Sequence, residues 1–571
     1  MTWRDGRWSR AASLATALLA VSLLSPRPAP ASVLSLCDGP AVESGAHAIS
    51  YRAVNGSSRT LRLDAKASAE SCASLALPLA LSDVLAIALI PPAGDHAPEA
   101  LVLQGGNDAQ GRFVIGQIEA WIGATPAVLP ILALGRDLLA AWTPRVFGAE
   151  ERVSVTQAAG EITLTCRAGE QPAGVFIAEG AALPAIPGLE LEIAARGDDG
   201  FVFAADESAR RRDAPLPLMT LPSAAATRSA RAKLPESLDR QSPVTWSVLC
   251  PRNAGTLTLA RAALAPALEA TRIAPPARSA WAWQPQLWQE TPASLLDRLR
   301  AQHIDRVYIT VPLDEDASVA APATLAAFIE AAARQGLGVW AVDGDPHAVL
   351  LSERAKFRAR SAALAAYNRA HPAAGRLGGV QYDIEPYLVP GFALDPDRWT
   401  AAYIDTLAML GAAAEMPVEA ALPFWFPFEK WGAKLADAVG SIALMDYRTA
   451  AEEIERSALP ALVWGTTYRR AVHIGLELGP LGDEERRRFR RAESGELWRV
   501  AVGDQHALLL LCAPQKNPMG ESYALASRNA MPGSGLTFNG RESMVDAMLP
   551  LLVAGFEAWP AYGGIALHGL F

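Results

Sequence analysis

Residues 379–387 read GVQYDIEPY. This apolar run carries Asp383 and Glu385 two apart and stops at Pro386, which poses a problem. Burying carboxylates is expensive unless they are partnered or used. Side chains alternate along a strand, so Gln381, Asp383 and Glu385 share one face while Tyr382 and Ile384 take the other. A parallel barrel satisfies this pattern. Its outer face meets helices, so the polar set points inward, and its last members emerge at the C-terminal mouth.

The surrounding sequence agrees. Strand-like runs fall at 279–288, 306–313, 337–344, 379–386, 417–426, 441–448, 472–478 and 563–570, with helix-like patterns between them. One such helix is TPASLLDRLRAQ, where Thr291 is placed to cap and Pro292 takes the first helical position. Others are ATLAAFIEAAARQG, DRWTAAYIDTLAMLGAAA and RESMVDAMLPLLVAGFEAW. Eight strands alternating with helices predict a (β/α)8 (TIM) barrel over 273–571. The seventh connection carries an extra strand-like piece at 496–512, and no helix is expected after the eighth strand.

Upstream the rhythm is different. EITLTCRA (161–168), LELEIAAR (189–196), GFVFAA (200–205) and GTLTLARAAL (255–264) have period-two or β-branched patterns, which predict a β-sandwich-like domain over 146–272. Residues 32–145 read as a further β-rich subdomain, with a helical turn near LGRDLLAAW. ATRIAPPARSA (270–280) reads as a linker, because consecutive prolines stop helix and sheet alike. The expected fold class is therefore multidomain, with a β-rich N-terminal region ahead of the barrel.

Half of the 571 residues are hydrophobic and 19% are charged, enough for large cores. A net charge of −9 argues against a nucleic-acid partner, which would require clustered Lys and Arg. Arg210–Arg212 and DEERRRFRR (483–491) read as solvated faces. Residues 1–31 resemble an export signal: Arg4, Arg7 and Arg10 precede an apolar stretch from Ala11 to Leu24, then Ala29-Pro30-Ala31 offers a cleavage site. Its removal would leave a net charge of −12. The apolar stretch is too short to span a bilayer, and no later segment reads as a span. A periplasmic or extracellular destination follows, where Cys37–Cys72 and Cys166–Cys250 are plausible pairs and Cys512 is left over, expected to be buried. Without HExxH or CxxC, no metal and no cofactor is expected.

Two carboxylates held close at a barrel mouth raise one another's pKa, and a Glu kept protonated near neutral pH is a usable general acid. Rim acids in water, or acids paired with Arg448, are the plainer reading. The motif resembles that of family 18 glycoside hydrolases, the chitinases and their relatives, whose fourth strand carries D-x-x-D-x-D-x-E. Here the last two acids match Asp383 and Glu385, while Gly378 and Gln381 replace the first two. Met445 and Tyr447 match that family's Met-x-Tyr-Asp with Arg448 at the Asp, and GGIALH puts His568 where the eighth strand has Trp.

The resemblance implies a retaining, substrate-assisted hydrolase acting on a polysaccharide. Glu385 would be the acid, Asp383 would orient the substrate's N-acetyl oxygen, and Tyr447 would hydrogen-bond to that oxygen. Gln381 cannot share a proton with Asp383, and Arg448 could read a carboxylate or sulfate on an acidic sugar. A second enzymatic reading pairs Glu385-Pro386 with a nucleophilic Glu477 on the seventh strand. Trp283 and Trp425 are candidate sugar platforms, and Asp343 in the DGDPH turn is a candidate contact. Two non-catalytic readings stand beside these: a silent barrel that binds carbohydrate, and a structural envelope protein whose mouth is filled by loops.

Overall fold

The computed structural model describes residues 130–571 except 141, 208–214, 241, 269, 316, 390–391, 393–394 and 503–504, and upstream the segments 32–38, 48–52, 58–63, 72–77, 84–90, 99–107 and 113–121. The export signal read over 1–31 lies outside the described residues.

Eight parallel strands close a barrel: β1 Ser279–Ala282, β2 Arg306–Thr310, β3 Gly338–Asp343, β4 Val380–Tyr382, β5 Val418–Pro423, β6 Ser441–Met445, β7 Ala471–Glu477 and β8 Tyr562–His568. Closure runs through Ser279 opposite Ala566 and Ala280 opposite Leu567. Each connection carries a helix: α1 Pro292–Ala301, α2 Pro322–Ala333, α3 Arg354–Ala370, α4 Pro396–Ala414, α5 Phe428–Ala438, α6 Ala451–Tyr468 and α7 Glu542–Phe556. Among the described residues none follows β8. Outward residues such as Val307, Ile309, Val380, Tyr382 and Ile442 are buried against these helices. Proline opens α1, α2 and α4, where its missing N–H costs nothing. Asp395 caps α4 by accepting from Arg398 N at 3.1 Å. Thr291 does not cap α1; its hydroxyl donates back to Leu287 O.

All the strands but β7 are shorter than their sequence runs, and β4 is only three residues long. Pro386 has no N–H for a ladder and opens a 3-10 turn at Pro386–Leu388, so Glu385 lies past the last ladder bond, which Asp383 N donates to Asp343 O at 3.0 Å. The Gly-Gly of β8 has a steric reason. At Gly564 (φ +121) a Cβ would stand 1.9 Å from Ala277 O, where the chain entering the barrel crosses.

Ahead of the barrel, two five-stranded antiparallel sheets face each other. One orders its strands 224–233, 190–197, 255–265, 161–166, 153–158; the other 216–220, 202–207, 244–249, 173–181, 145–148. Leu191, Ile193, Phe203 and Trp246 fill the space between them with no exposed surface. Cys166 of the first sheet is disulfide-bonded to Cys250, just past strand 244–249 of the second. That bond closes 84 residues of chain. Replacing both cysteines by Ala is expected to lower unfolding stability by about 2–4 kcal/mol, mainly by freeing the unfolded chain, and urea denaturation of the variant checks it.

The remaining β structure divides differently from the 32–145 block read in the sequence. Strands 32–38, 48–52, 58–63 and 72–77 form one sheet, in which Cys37 lies opposite Cys72. Strands 84–90, 100–107 and 113–121 instead complete a seven-stranded sheet with 484–492, 495–502, 505–515 and 520–531, inserted between β7 and α7. The single strand-like piece at 496–512 is thus part of a four-strand insertion. Cys512, expected to be buried, is exposed. Residues 134–140 of LGRDLLAAW form turns and an isolated bridge from Asp137 to Ala263, because Asp137 accepts backbone N–H groups and competes with a helix.

Candidate active site

The inner face of the barrel is built in layers, two residues per step along each strand. The floor centres on Glu419 of β5, which has no exposed surface. Its Oε1 accepts from Tyr308 OH at 2.5 Å and Gln381 Nε2 at 2.7 Å. Its Oε2 accepts from Ser441 Oγ at 2.8 Å, with His473 Nδ1 at 2.8 Å and Arg306 at 3.5 Å. Trp281 Nε1 closes the network by donating to Gln381 Oε1 at 2.5 Å. Burial alone would raise the Glu419 carboxyl, but His473, Arg306 and Tyr308 outweigh it and hold it down at about 2. Gln381 is fully engaged in this floor. Glu419 was visible only as the single acid of PVEAALPFWF.

Two to six residues further along the strands is the mouth. Asp383, Glu385, Tyr447, Glu477, His568 and Trp283 converge there, each on the inward register of its strand. Glu385 is 5% exposed, and Tyr387 OH donates to its Oε2 at 2.5 Å. Burial raises the Glu385 carboxyl against the lowering effect of that bond. Asp383 is pushed well above the ordinary carboxylate range by burial and then by Glu385. Its Oδ1 and the Tyr447 hydroxyl are shut off from solvent and have no partner within the protein. Burial, and then Glu477, Asp383 and Glu385, raise the Tyr447 hydroxyl. The mouth thus holds two carboxyls raised by burial, with Asp383 Oδ1 and the Tyr447 hydroxyl left unsatisfied.

Glu477 is 1% exposed, and both of its oxygens are held, Oε1 by Gly479 N at 2.6 Å and Oε2 by His568 Nδ1 at 2.7 Å. Trp283 Nε1 donates to His568 Nε2 at 2.8 Å. Trp425 is 42% exposed on the rim, with its ring 5.0 Å from Tyr387 and 6.4 Å from Phe392. Arg448 pairs with neither acid of the motif; it lies 4.2 Å over the Phe424 ring and donates to Tyr447 O. Asp343 is not brought to the mouth. It faces the helix layer, where Arg360 of α3 grips both of its oxygens at 2.9 Å. Asp345 caps its own turn through His347 N.

Two further acidic-site groups escaped the sequence reading. Tyr387 became relevant only once the 3-10 turn folded it back onto Glu385. Asp446 is buried beside Ser457 of α6 (2.6 Å), and burial raises its carboxyl to about 7 despite that bond. Among the described residues, no group of three or more His, Cys, Asp or Glu is placed to hold a metal ion. Likewise no described helix is long and apolar enough to cross a membrane.

No family model and no curated protein matches the chain. Among solved structures, a mutant of a carbohydrate binding module of family 29 is 8% identical, covering 21% of this chain and 79% of its own, with a TM-score of 0.17. A mutant of such a module complexed with mannohexaose is 10% identical, covering 25% and 92%, with a TM-score of 0.17. A chitinase from Bacteroides thetaiotaomicron is 11% identical, covering 36% and 68%, with a TM-score of 0.27. Likenesses this slight decide neither fold nor function.

Proposed function

We propose that this chain is an exported glycoside hydrolase, kin to family 18, whose (β/α)8 barrel cleaves an N-acetylated polysaccharide by the substrate-assisted route. Glu385 gives its proton to the glycosidic oxygen. Asp383 orients the acetamido group, whose oxygen attacks the anomeric carbon, and Tyr447 donates to that oxygen. Water later reopens the cyclic intermediate, returning a proton to Glu385 and retaining configuration. Residues 1–31 would direct export, and 146–272 would support the barrel of 273–571.

The observation that carries this reading is the pairing of a buried Glu385 with an Asp383 oxygen and a Tyr447 hydroxyl that find no partner inside the protein. Buried polar atoms without partners are costly, and a bound acetamido group would satisfy both. Glu477 is a poorer nucleophile candidate, since His568 and Gly479 already hold its oxygens. The silent-binder reading is favoured by one feature: Gln381 is locked into the floor and leaves Asp383 without a second proton-sharing acid.

Sugar release from a panel of bacterial and N-acetylated polysaccharides, for wild type and folded Glu385→Gln, separates the two. Cleavage by wild type alone supports the hydrolase; equal binding without cleavage by both proteins makes the barrel a binding module. The Tyr387 contact adds a finer check. The phenol stabilises ionised Glu385, so Tyr387→Phe raises the acid's pKa further. The alkaline limb of the kcat/KM profile is expected to move to higher pH in this variant, and a shift the other way would remove Tyr387 from the acid's control.

A further inference from the structure

The chain from Trp283 through His568 to Glu477 lies in the same mouth, and no step proposed above uses it. Its proton positions follow from chemistry. An indole N–H can only donate, so His568 Nε2, 2.8 Å from Trp283 Nε1, must be the bare, accepting nitrogen. The ring proton is therefore on Nδ1 and is donated to Glu477 Oε2 at 2.7 Å. Glu477 is itself fixed by Gly479 N. Each ring is thus locked by the next, starting from a buried carboxylate on β7 and ending on a half-buried indole just past β1. Trp283 packs over the inner cluster of Trp281, Tyr308, Val342, Ala443 and Ala566. The Tyr447 ring stands 6.0 Å from His568, on the side of the acids.

We propose that Trp283 is the stacking platform for the sugar ring held at Asp383 and Glu385, that His568 is its positioning residue, and that His568 holds it only as the neutral ring. The platform assignment rests on the hydrolase reading; the locking of Trp283 does not. A proton taken from solvent onto Nε2 would point at the Trp283 N–H, donor against donor, and the indole would have to leave. The groups facing His568 are Glu477 from β7, Glu385 beyond β4, Tyr447 beyond β6, and Trp281 and Trp283 from β1. Acid that placed this second proton on His568 would therefore release Trp283 and weaken sugar binding.

The test follows the indole N–H of Trp283 by NMR in 15N-tryptophan-labelled full-length protein, its resonance assigned by its loss in Trp283→Phe. In wild type this resonance is expected to shift and broaden as pH falls. In His568→Gln, whose amide oxygen accepts from the indole at every pH, it should stay put. With chitotetraose as probe, wild-type affinity is expected to fall about tenfold across the same transition, the scale of one aromatic contact, and to stay level in His568→Gln. A Trp283 resonance that is unchanged with pH in wild type overturns the gate. Cleavage that depends on Glu385 with an unaltered KM in a folded Trp283→Ala protein overturns the platform while leaving the hydrolase standing. A resonance that titrates in a protein that cleaves and binds no glycan upholds the gate and sinks the sugar reading.

Discussion

Glu385→Gln is expected to lower the rate of glycosidic cleavage by about 10²–10⁴-fold, the usual contribution of a positioned general acid. The amide keeps the shape of the side chain and can still meet Tyr387 OH, but it has no proton to give. On the hydrolase reading Glu385 acts only in its protonated form, which burial favours, so wild-type cleavage is expected to fall as pH rises through the folded-state pKa. That alkaline limb should vanish in the variant. The sign for stability is the opposite of a usual salt-bridged acid. A carboxyl raised in the folded state contributes most below its unfolded value near 4.5, and that contribution is lost as pH rises through the folded value. The variant should therefore unfold at the same temperature or higher at neutral pH, which separates lost chemistry from lost folding. Full activity in a folded Glu385→Gln protein would remove Glu385 from the reaction.

Glu419→Gln is expected to cost about 3–5 kcal/mol of stability, as removal of one partner from a buried charged network does. The change leaves no cavity, but it places an amide among Tyr308, Gln381, Ser441 and Arg306, which donate to Glu419, and beside His473 Nδ1 at 2.8 Å. Here the carboxyl is depressed from 4.5 to about 2, so its contribution is present above 4.5 and lost as pH falls through about 2. Denaturant unfolding at pH 7 and at pH 3 should show the gap between wild type and variant narrowing at the lower pH. A gap independent of pH would mean that shape, and not charge, holds the floor together.

The barrel was legible because its signal is local and repeated. Strand-like runs alternating with helical patterns fix the layer order wherever the outward face must be apolar, and all eight runs formed strands. Alternation likewise put Gln381, Asp383 and Glu385 on one face. The pairing of residues 84–121 with an insertion near 500 was not legible, because strand pairing between distant segments leaves no periodicity in either. Nor did spacing reveal that Asp343 belongs to the helix layer, since its register depends on where β3 begins.

The sequence alone determined which residues of β4 turn inward, Gln381, Asp383 and Glu385, and offered His, Trp and acids of other strands as candidates, dictated by two-residue alternation and by the cost of burying charge. Only the tertiary structure decided which of them meet. It set Glu419 beneath the site as a fully partnered floor, brought Tyr387 back onto Glu385, sent Asp343 to Arg360, and left Asp383 and Tyr447 with unsatisfied atoms. The reason is that hydrogen-bond satisfaction depends on neighbours across the barrel, and closure of the sheet, not sequence distance, assigns those neighbours.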